Sequence, residues 1–354
     1  MKGFKTLIVG VDDGHDGIKI YCGETGKAFR LPSRVANGRT LMGDSEDVNK
    51  QIIHVNGKYF TIDEYAKECI DTRTEDYPLS DANIALVYHA LHQAFGGQYH
   101  KFKIATGLPL NRYYSGKDRA KNEKLIADKI ENLLINKDTS NPNVYNLFDA
   151  QQKNEPIQIQ KHIVLSEGQC AYFDALMNDN GKRSSIYDDL WEGGCAIIDI
   201  GGRTTDIAIV NPRGGTLQAS RCDTLDVGII NLKNKVSQNL KDHFGFSTNI
   251  TDWRITKALR TGIYNHGGKD HDISKILNSA KDEITDQIEN SIKVNVQDGQ
   301  DLGAVLLVGG GSITLGEELL KRFNYDNWRL VNQPEFANAR GMYKCAKYIT
   351  KPKL

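Results

Sequence analysis

The stretch Ala196-Ile-Ile-Asp-Ile-Gly-Gly-Arg-Thr-Thr-Asp-Ile-Ala-Ile-Val210 constrains the fold more than any other part of this 354-residue chain. An apolar run ends in Asp199, a two-glycine turn leads to Thr204 and Thr205, and a second apolar run leaves from Asp206. The pattern predicts a buried strand, a tight turn and a returning strand. Gly201 and Gly202 let the turn bend with its N–H groups inward, a concavity suited to phosphate oxygens, and Asp199 at the strand end suits a hydrated Mg2+. An ordinary hairpin, with its Asp and Thr side chains satisfying the turn, explains the same residues.

The N-terminus repeats the pattern. Leu7-Ile-Val-Gly-Val-Asp-Asp-Gly-His-Asp-Gly-Ile-Lys-Ile-Tyr21 again reads as strand, acidic glycine turn and strand, with Asp12, Asp13, Gly14, His15, Gly17 and the basic Lys19. One copy is consistent with a plain surface hairpin. Two copies, roughly 190 residues apart, look like the halves of a duplicated nucleotide clamp. A third element, Ala304-Val-Leu-Leu-Val-Gly-Gly-Gly-Ser-Ile-Thr-Leu315, predicts a strand, a loop over Gly309, Gly310, Gly311 and Ser312, and then a helix. Such glycines admit a base or phosphate close to the backbone, although a plain strand-to-helix turn reads the same way. The dinucleotide glycine fingerprint and the Walker-type Gly-Lys-Ser/Thr loop are both absent.

These three elements in this order resemble the actin, heat-shock-chaperone and sugar-kinase superfamily. Ile104-Ala-Thr-Gly-Leu-Pro-Leu-Asn-Arg-Tyr-Tyr114 and Ala337-Asn-Ala-Arg-Gly-Met-Tyr343 are similar to segments of the ParM (StbA) plasmid-partition actins. The resemblance spans nearly the whole chain. It implies an actin-like α/β fold of two duplicated domains, each with a mixed central sheet and flanking helices, and a nucleotide cleft between them. It also implies filament formation by head-to-tail copies of the chain, with plasmid DNA reached only through a DNA-binding adaptor protein.

Composition is compatible with this. Lys+Arg and Asp+Glu both number 45, a balance that argues against a dedicated nucleic-acid surface and offers little charge resistance to self-association. The six cysteines carry no Cys-x-x-Cys pair, so reduced, buried thiols are expected rather than a metal site or a disulfide framework. No stretch approaches ~18 uninterrupted apolar residues, which points to a cytoplasmic protein without a membrane span.

The expected organisation is a first domain of residues 1–177 plus 335–354 and a second of 178–334. A small subdomain is expected over about 33–80 in the first domain, and a helical insertion over about 227–300 in the second. Asn56-Gly57 marks a hairpin in the subdomain. Asp81 can cap a helix stopped by Gly96-Gly97, and residues 101–107 read as a strand. A charged helix follows over 116–136, with its Lys and Arg positions read as a solvated face. Residues 137–156 read as loop with one short strand, and 216–223 as another strand.

Glu167 stands where the strand from Ile157 passes into a helix. A carboxylate there can cap the helix or face a cleft. The resemblance assigns it the second role, orienting the attacking water. On this reading ATP, or GTP, is hydrolysed with Asp12 and Asp199 holding hydrated Mg2+ and Asp199 available as a second base. Lys19 and the amides of Asp13, Gly14 and His15 grip the β- and γ-phosphates from one side. The amides of Gly201, Gly202 and Arg203 and the Thr204 hydroxyl grip them from the other, while Gly309 to Ser312 line the adenosine and α-phosphate. Lys257 and Arg260 lie on a helix that the resemblance brings toward ribose and purine; a solvated face accounts for them equally well. Arg203 and His15 depart from the family pattern. Arg203 can serve as a built-in arginine finger or point to solvent, and His15 replaces a hydroxyl residue. Other actin-like cytoskeletal proteins and small-molecule kinases share the fold and are the alternatives, with phosphate moving to an acceptor in the kinase case.

Overall fold

The structure is a computed structural model that describes residues 6–43, 45–66, 68–96, 98–116, 118–136, 140–245 and 250–350. The chain divides into two compact units, one of Met1–Trp191 with Phe336–Leu354 and one of Glu192–Glu335. Residues 178–191 stay with the first unit, tied there by Tyr21, whose hydroxyl donates to Asp179 (2.7 Å).

The first unit lays down β1 (Leu7–Asp13), β2 (Gly17–Cys22), β3 (Lys27–Pro32), β4 (Val35–Asn37), β5 (Ile52–Val55) and β6 (Lys58–Ile62). Then come α1 (Asp81–Phe95), β7 (Lys101–Leu108), α2 (Glu123–Leu133), β8 (Val144–Asn146), β9 (Gln158–Ser166) and α3 (Gln169–Leu176). The core sheet has the order β9-β7-β1-β2-β3, antiparallel through the hairpin and parallel from β1 to β9. A second sheet, β8-β5-β6-β4, forms the subdomain and recruits its edge strand from residues 144–146, far along the sequence. Helix α1 is capped by Ser80, whose hydroxyl accepts from Asn83 N–H, rather than by Asp81, and Gly96 ends it. Gly97 lies outside the described residues.

A return helix, Ala337–Lys344, completes this unit and explains the Ala337–Tyr343 motif. A Cβ on Gly341 would fall 1.8 Å from the Cys170 carbonyl, and one on Gly10 would fall 1.9 Å from that of Ala339. Only glycine permits helix-to-helix and helix-to-strand approach at such range. Buried Asp174 takes Arg340 (2.8 Å) and Lys344 (2.7 Å), and removing one partner of such a cluster costs about 3–5 kcal/mol.

The second unit contains β10 (Cys195–Ile200), β11 (Thr205–Val210), β12 (Asp223–Leu225), α4 (Ile229–Phe244), α5 (Asp252–Thr261) and the hairpin β13 (Ile263–His266)–β14 (Lys269–Asp272). It continues with α6 (Ser274–Asn295), β15 (Ala304–Val308), α7 (Ser312–Arg322) and β16 (Trp328–Leu330). Its sheet, β12-β11-β10-β15-β16, repeats the first: an antiparallel meander on one side of the lead strand and two parallel strands on the other. The strand expected over 216–223 is shorter and later, because only Leu217 bridges to Val210 before β12 begins. The apolar stripe of α6 (Leu277, Ile284, Ile288, Ile292) is core, each side chain contributing about 2 kcal/mol on burial.

Five of the six cysteines are buried and all are free thiols. Among the described residues no helix is long and apolar enough to cross a membrane.

Candidate functional site

Each unit presents one acidic glycine hairpin at the carboxyl end of its lead strand, where parallel α/β sheets place their ligands. In the first unit Asp12 is the penultimate residue of β1, and it faces Lys19 across the hairpin. The two form a mostly buried ion pair (3.3 Å). Asp13 points to the opposite face, as strand alternation requires. There it meets Lys129 (2.9 Å) and accepts from the Asn83 amide (2.7 Å). Two hydroxyls hold the turn: Ser33 donates to the Gly14 carbonyl (2.8 Å) and Thr72 to that of His15 (3.0 Å). Because a trans peptide sets N–H opposite C=O, the amides of His15 and Asp16 are aimed away from those hydroxyls. The His15 imidazole takes the Thr72 carbonyl through Nδ1 (2.5 Å) and tilts against Tyr77.

Glu167 sits directly after β9, with its N–H on the Leu108 carbonyl (3.0 Å). Gly168 then adopts φ +74°, ψ −55°, and Gln169 N–H donates to the Glu167 carbonyl (2.8 Å). This is a γ-turn of the rare positive-φ kind, which glycine tolerates. It aims Glu167 rather than letting it cap α3: the N-cap is Gly168, and its N–H is held by Asn338 Oδ1 (3.2 Å) on the return helix. The Glu167 side chain lies on Gly107, where a Cβ would come within 2.7 Å of its Cγ and Oε1.

In the second unit Asp199 is the penultimate residue of β10, the same position as Asp12, but its cross-hairpin partner is Asp206. Burial pushes the Asp206 carboxyl up to about 6, against hydrogen bonds from Thr224 (2.6 Å) and Thr204 (3.1 Å) that favour its charged form. Here backbone holds the turn. The first amides of α4, Ile229 and Ile230, donate to the carbonyls of Gly201 (3.1 Å) and Gly202 (2.9 Å). That aims the N–H groups of Gly202 and Arg203 away from α4. The expected amide contact from Gly201 is corrected, because its N–H closes the turn on the Thr204 carbonyl (2.8 Å). Arg203 turns outward to Asp226 (3.0 Å), a half-exposed ion pair.

The triple-glycine loop packs on the end of β10. A Cβ on Gly309 (φ +85°) would lie 2.2 Å from Asp199 Oδ1, and one on Gly311 would lie 2.3 Å from the Ile200 side chain. Gly311 N–H donates to the Ile200 carbonyl (2.8 Å). Gly310 differs from both, for the nearest atom to its Cβ position is 4.0 Å away, so its face is the open one. The Ser312 side chain is also corrected: it is buried, and its hydroxyl donates back to the Val308 carbonyl (2.5 Å). Lys257 and Arg260 lie on the exposed side of α5, which packs on α4 and β13.

Lys129, expected on a solvated face from the charge pattern, is not there. It is almost wholly buried, with its ammonium on Asp13 and on the Gly107 carbonyl (2.5 Å). The signal was available in the sequence: on helix α2, Lys129 and Leu133 lie four apart on the one side that the structure buries. For a metal, each unit offers a buried carboxylate at the penultimate position of its lead strand, Asp12 and Asp199. Among the described residues no group of three or more His, Cys, Asp or Glu is placed to hold an ion. Mg2+ is commonly bound through one or two carboxylates, with waters and phosphates completing the octahedron, and either carboxylate by itself fits that mode.

Residues 7–177 match the family model of the N-terminal region of the plasmid segregation protein ParM, and residues 197–321 match that of the C-terminal region of archaeal MreB-like actin homologues. No curated protein sequence matches the chain. Among solved structures, a 15-stranded ParM filament from Clostridium botulinum superposes with TM-score 0.72 at 20% identity, covering 97% of this chain and 99% of that one. An archaeal actin homologue in complex with ADP gives the same four values. Bacillus thuringiensis ParM with ATP gives TM-score 0.65 at 16% identity, over 98% of this chain and 99% of that one. These likenesses show the fold: two duplicated α/β units of the actin type.

Proposed function

We propose that this chain, a ParM-like actin homologue, binds and hydrolyses ATP with Mg2+ and polymerises into filaments that segregate plasmid DNA through a DNA-binding adaptor. The observation that carries the reading is the pair of equivalent turns. In each, the carbonyls are pinned from behind and the following amides are presented forward, beside a buried strand-end carboxylate. Oriented amides of this kind bind phosphate oxygens at fixed positions and cost no reorganisation during reaction.

Each unit supplies one set of contacts. The amides of His15 and Asp16 and the Lys19 ammonium hold the terminal phosphates from the first unit. The amides of Gly202 and Arg203 hold them from the second, with the open face of Gly310 against the nucleoside; the expected Thr204 hydroxyl contact is not used, because that hydroxyl donates to Asp206 (3.1 Å). Asp12 and Asp199 would hold Mg2+, which would supply neutralising charge to the triphosphate. Glu167, fixed by the γ-turn, orients the attacking water, and Asp199 is the second acceptor for its proton. GTP uses the same phosphate contacts.

Polymerisation is supported by the fold the chain shares with a ParM filament and by its balanced charge. A head-to-tail contact is heterologous and open-ended, so nucleotide state controls length if it changes that contact. The test is sedimentation and negative-stain microscopy with Mg-ATP, Mg-GTP and no nucleotide, paired with a phosphate-release assay lacking any acceptor. Nucleotide-dependent pelleting with phosphate release is expected. A protein that stays monomeric, or that releases phosphate only to an added small molecule, overturns the proposal.

A further inference from the structure

The parallel ladder between β1 and β7 ends at Val11 opposite Thr106. Beyond that pair the strands part: β1 continues with β2 to Asp13 opposite Ile18, and β7 continues with β9 to Leu108 opposite Ser166. One branch therefore carries the first glycine turn, and the other carries Gly107, the floor beneath Glu167, and Leu108, whose carbonyl anchors its amide. The distance between the phosphate turn and Glu167 depends on how far these branches separate.

Lys129 spans the split. Its ammonium touches Asp13 Oδ1 on one branch (2.9 Å) and the Gly107 carbonyl on the other (2.5 Å). Both charged side chains are only 2% exposed, and the Asn83 amide (2.7 Å) occupies the second oxygen of Asp13. A buried, two-ended, charge-assisted link is stiff, because breaking either end leaves an ion without water or partner. Helix α2, which delivers Lys129, also packs along β9, whose His162 takes the Ile130 carbonyl through Nδ1 (3.2 Å) and Thr106 Oγ1 through Nε2 (2.8 Å). The helix is thus seated on the β7–β9 branch, and Lys129 reaches from it to Asp13 on the other.

From this geometry we infer that Lys129 is a positioning residue for hydrolysis: it fixes the gap between the first phosphate turn and Glu167. The inference rests on the ATPase reading above. Lys129 does not touch the nucleotide. Its loss lets the Gly107–Glu167 branch drift while the Ser33 and Thr72 contacts keep the phosphate turn intact, so chemistry suffers and binding does not. Misplacing a water-orienting group by about an ångström slows reaction roughly 10^2-fold.

The experiment compares the full-length wild type with Lys129→Met and with the double variant Asp13→Asn/Lys129→Met, which removes the orphaned charge if the single variant fails to fold. Melting is followed by circular dichroism, ATP affinity by titration with a fluorescent ATP analogue, and turnover by phosphate release. In a folded variant, kcat is expected to fall at least tenfold while nucleotide affinity stays within threefold of wild type. Unchanged kcat overturns the inference, as does loss of affinity in parallel with kcat, which would make the brace structural only. Failure of the underlying reading is distinct, for the wild type itself would then bind no nucleotide or release no phosphate.

Discussion

The two acidic hairpins occupy equivalent places in duplicated sheets, yet they are braced with different materials. In the first unit, side chains hold the turn: Ser33 and Thr72 on its carbonyls, Lys19 on Asp12, and Lys129 on Asp13. In the second unit, backbone holds it: the α4 amides on Gly201 and Gly202, and Gly311 on Ile200. Even the residue facing the strand-end carboxylate differs, Lys19 in one case and Asp206 in the other. A turn held by side chains can be retuned one residue at a time, and this is the turn that adjoins Glu167. A turn held by backbone is fixed by glycine and helix placement, and it suits a passive cradle.

The strongest test of that division is Glu167→Ala. If chemistry belongs to the first unit, phosphate release should fall about 10^2- to 10^3-fold while ATP affinity and nucleotide-dependent pelleting persist. Normal turnover in this variant would move the water-orienting role elsewhere.

Next in size is the contrast between Gly309→Ala and Gly14→Ala. At Gly309 the added methyl meets Asp199 and the Ile200 backbone at φ +85°. Chemical denaturation should therefore show a loss of about 3 kcal/mol. At Gly14 it meets the movable end of Lys19 at 3.0 Å, and the loss should stay below about 1 kcal/mol. Equal costs would contradict the division between backbone and side-chain bracing.

Acid should separate the units. The Asp206 carboxyl titrates at 3.8 when unfolded and about 6 when folded, so the folded second unit holds the proton more tightly and loses stability as pH rises through 6. Burial pushes His162 in the first unit from 6.5 down to about 4. Its folded form favours the neutral ring, and that contribution is lost as pH falls from 6.5 through 4. Each shift corresponds to about 3 kcal/mol at most. Between pH 6.5 and 4.5, hydrogen exchange corrected for intrinsic rates should show β10 and β11 gaining protection relative to β7 and β9. Parallel behaviour of the two sheets would refute the assignment.

The smallest effect is expected at Arg203→Ala. Its pair with Asp226 is surface-exposed, so stability should change by no more than about 0.5 kcal/mol. A tenfold loss of kcat would instead restore the arginine-finger role and give the second turn an active side chain.

Local pattern made much of this legible. The twin hairpins and the glycine loop declared themselves through strand period and glycine spacing, and the α6 stripe through its 3.6-residue repeat. What escaped was set by contacts between distant residues. The four-residue spacing to Leu133 marks the buried side of α2 for Lys129, but nothing local announces that its partner is Asp13, 116 residues away. The subdomain's edge strand came from 144–146, beyond the expected 33–80 block, since strand pairing ignores sequence order. The Gly201 and Ser312 contacts failed for a simpler reason: hydrogen-bond donors in tight turns are often consumed by the turn itself.

The amide of Gly168 is held by Asn338, a residue 170 positions downstream. During synthesis, Glu167 therefore emerges from the ribosome long before the segment that finishes its turn. A nascent chain exposing both glycine hairpins still lacks that last clasp, so the turn after Glu167 is completed only once Asn338 has been made.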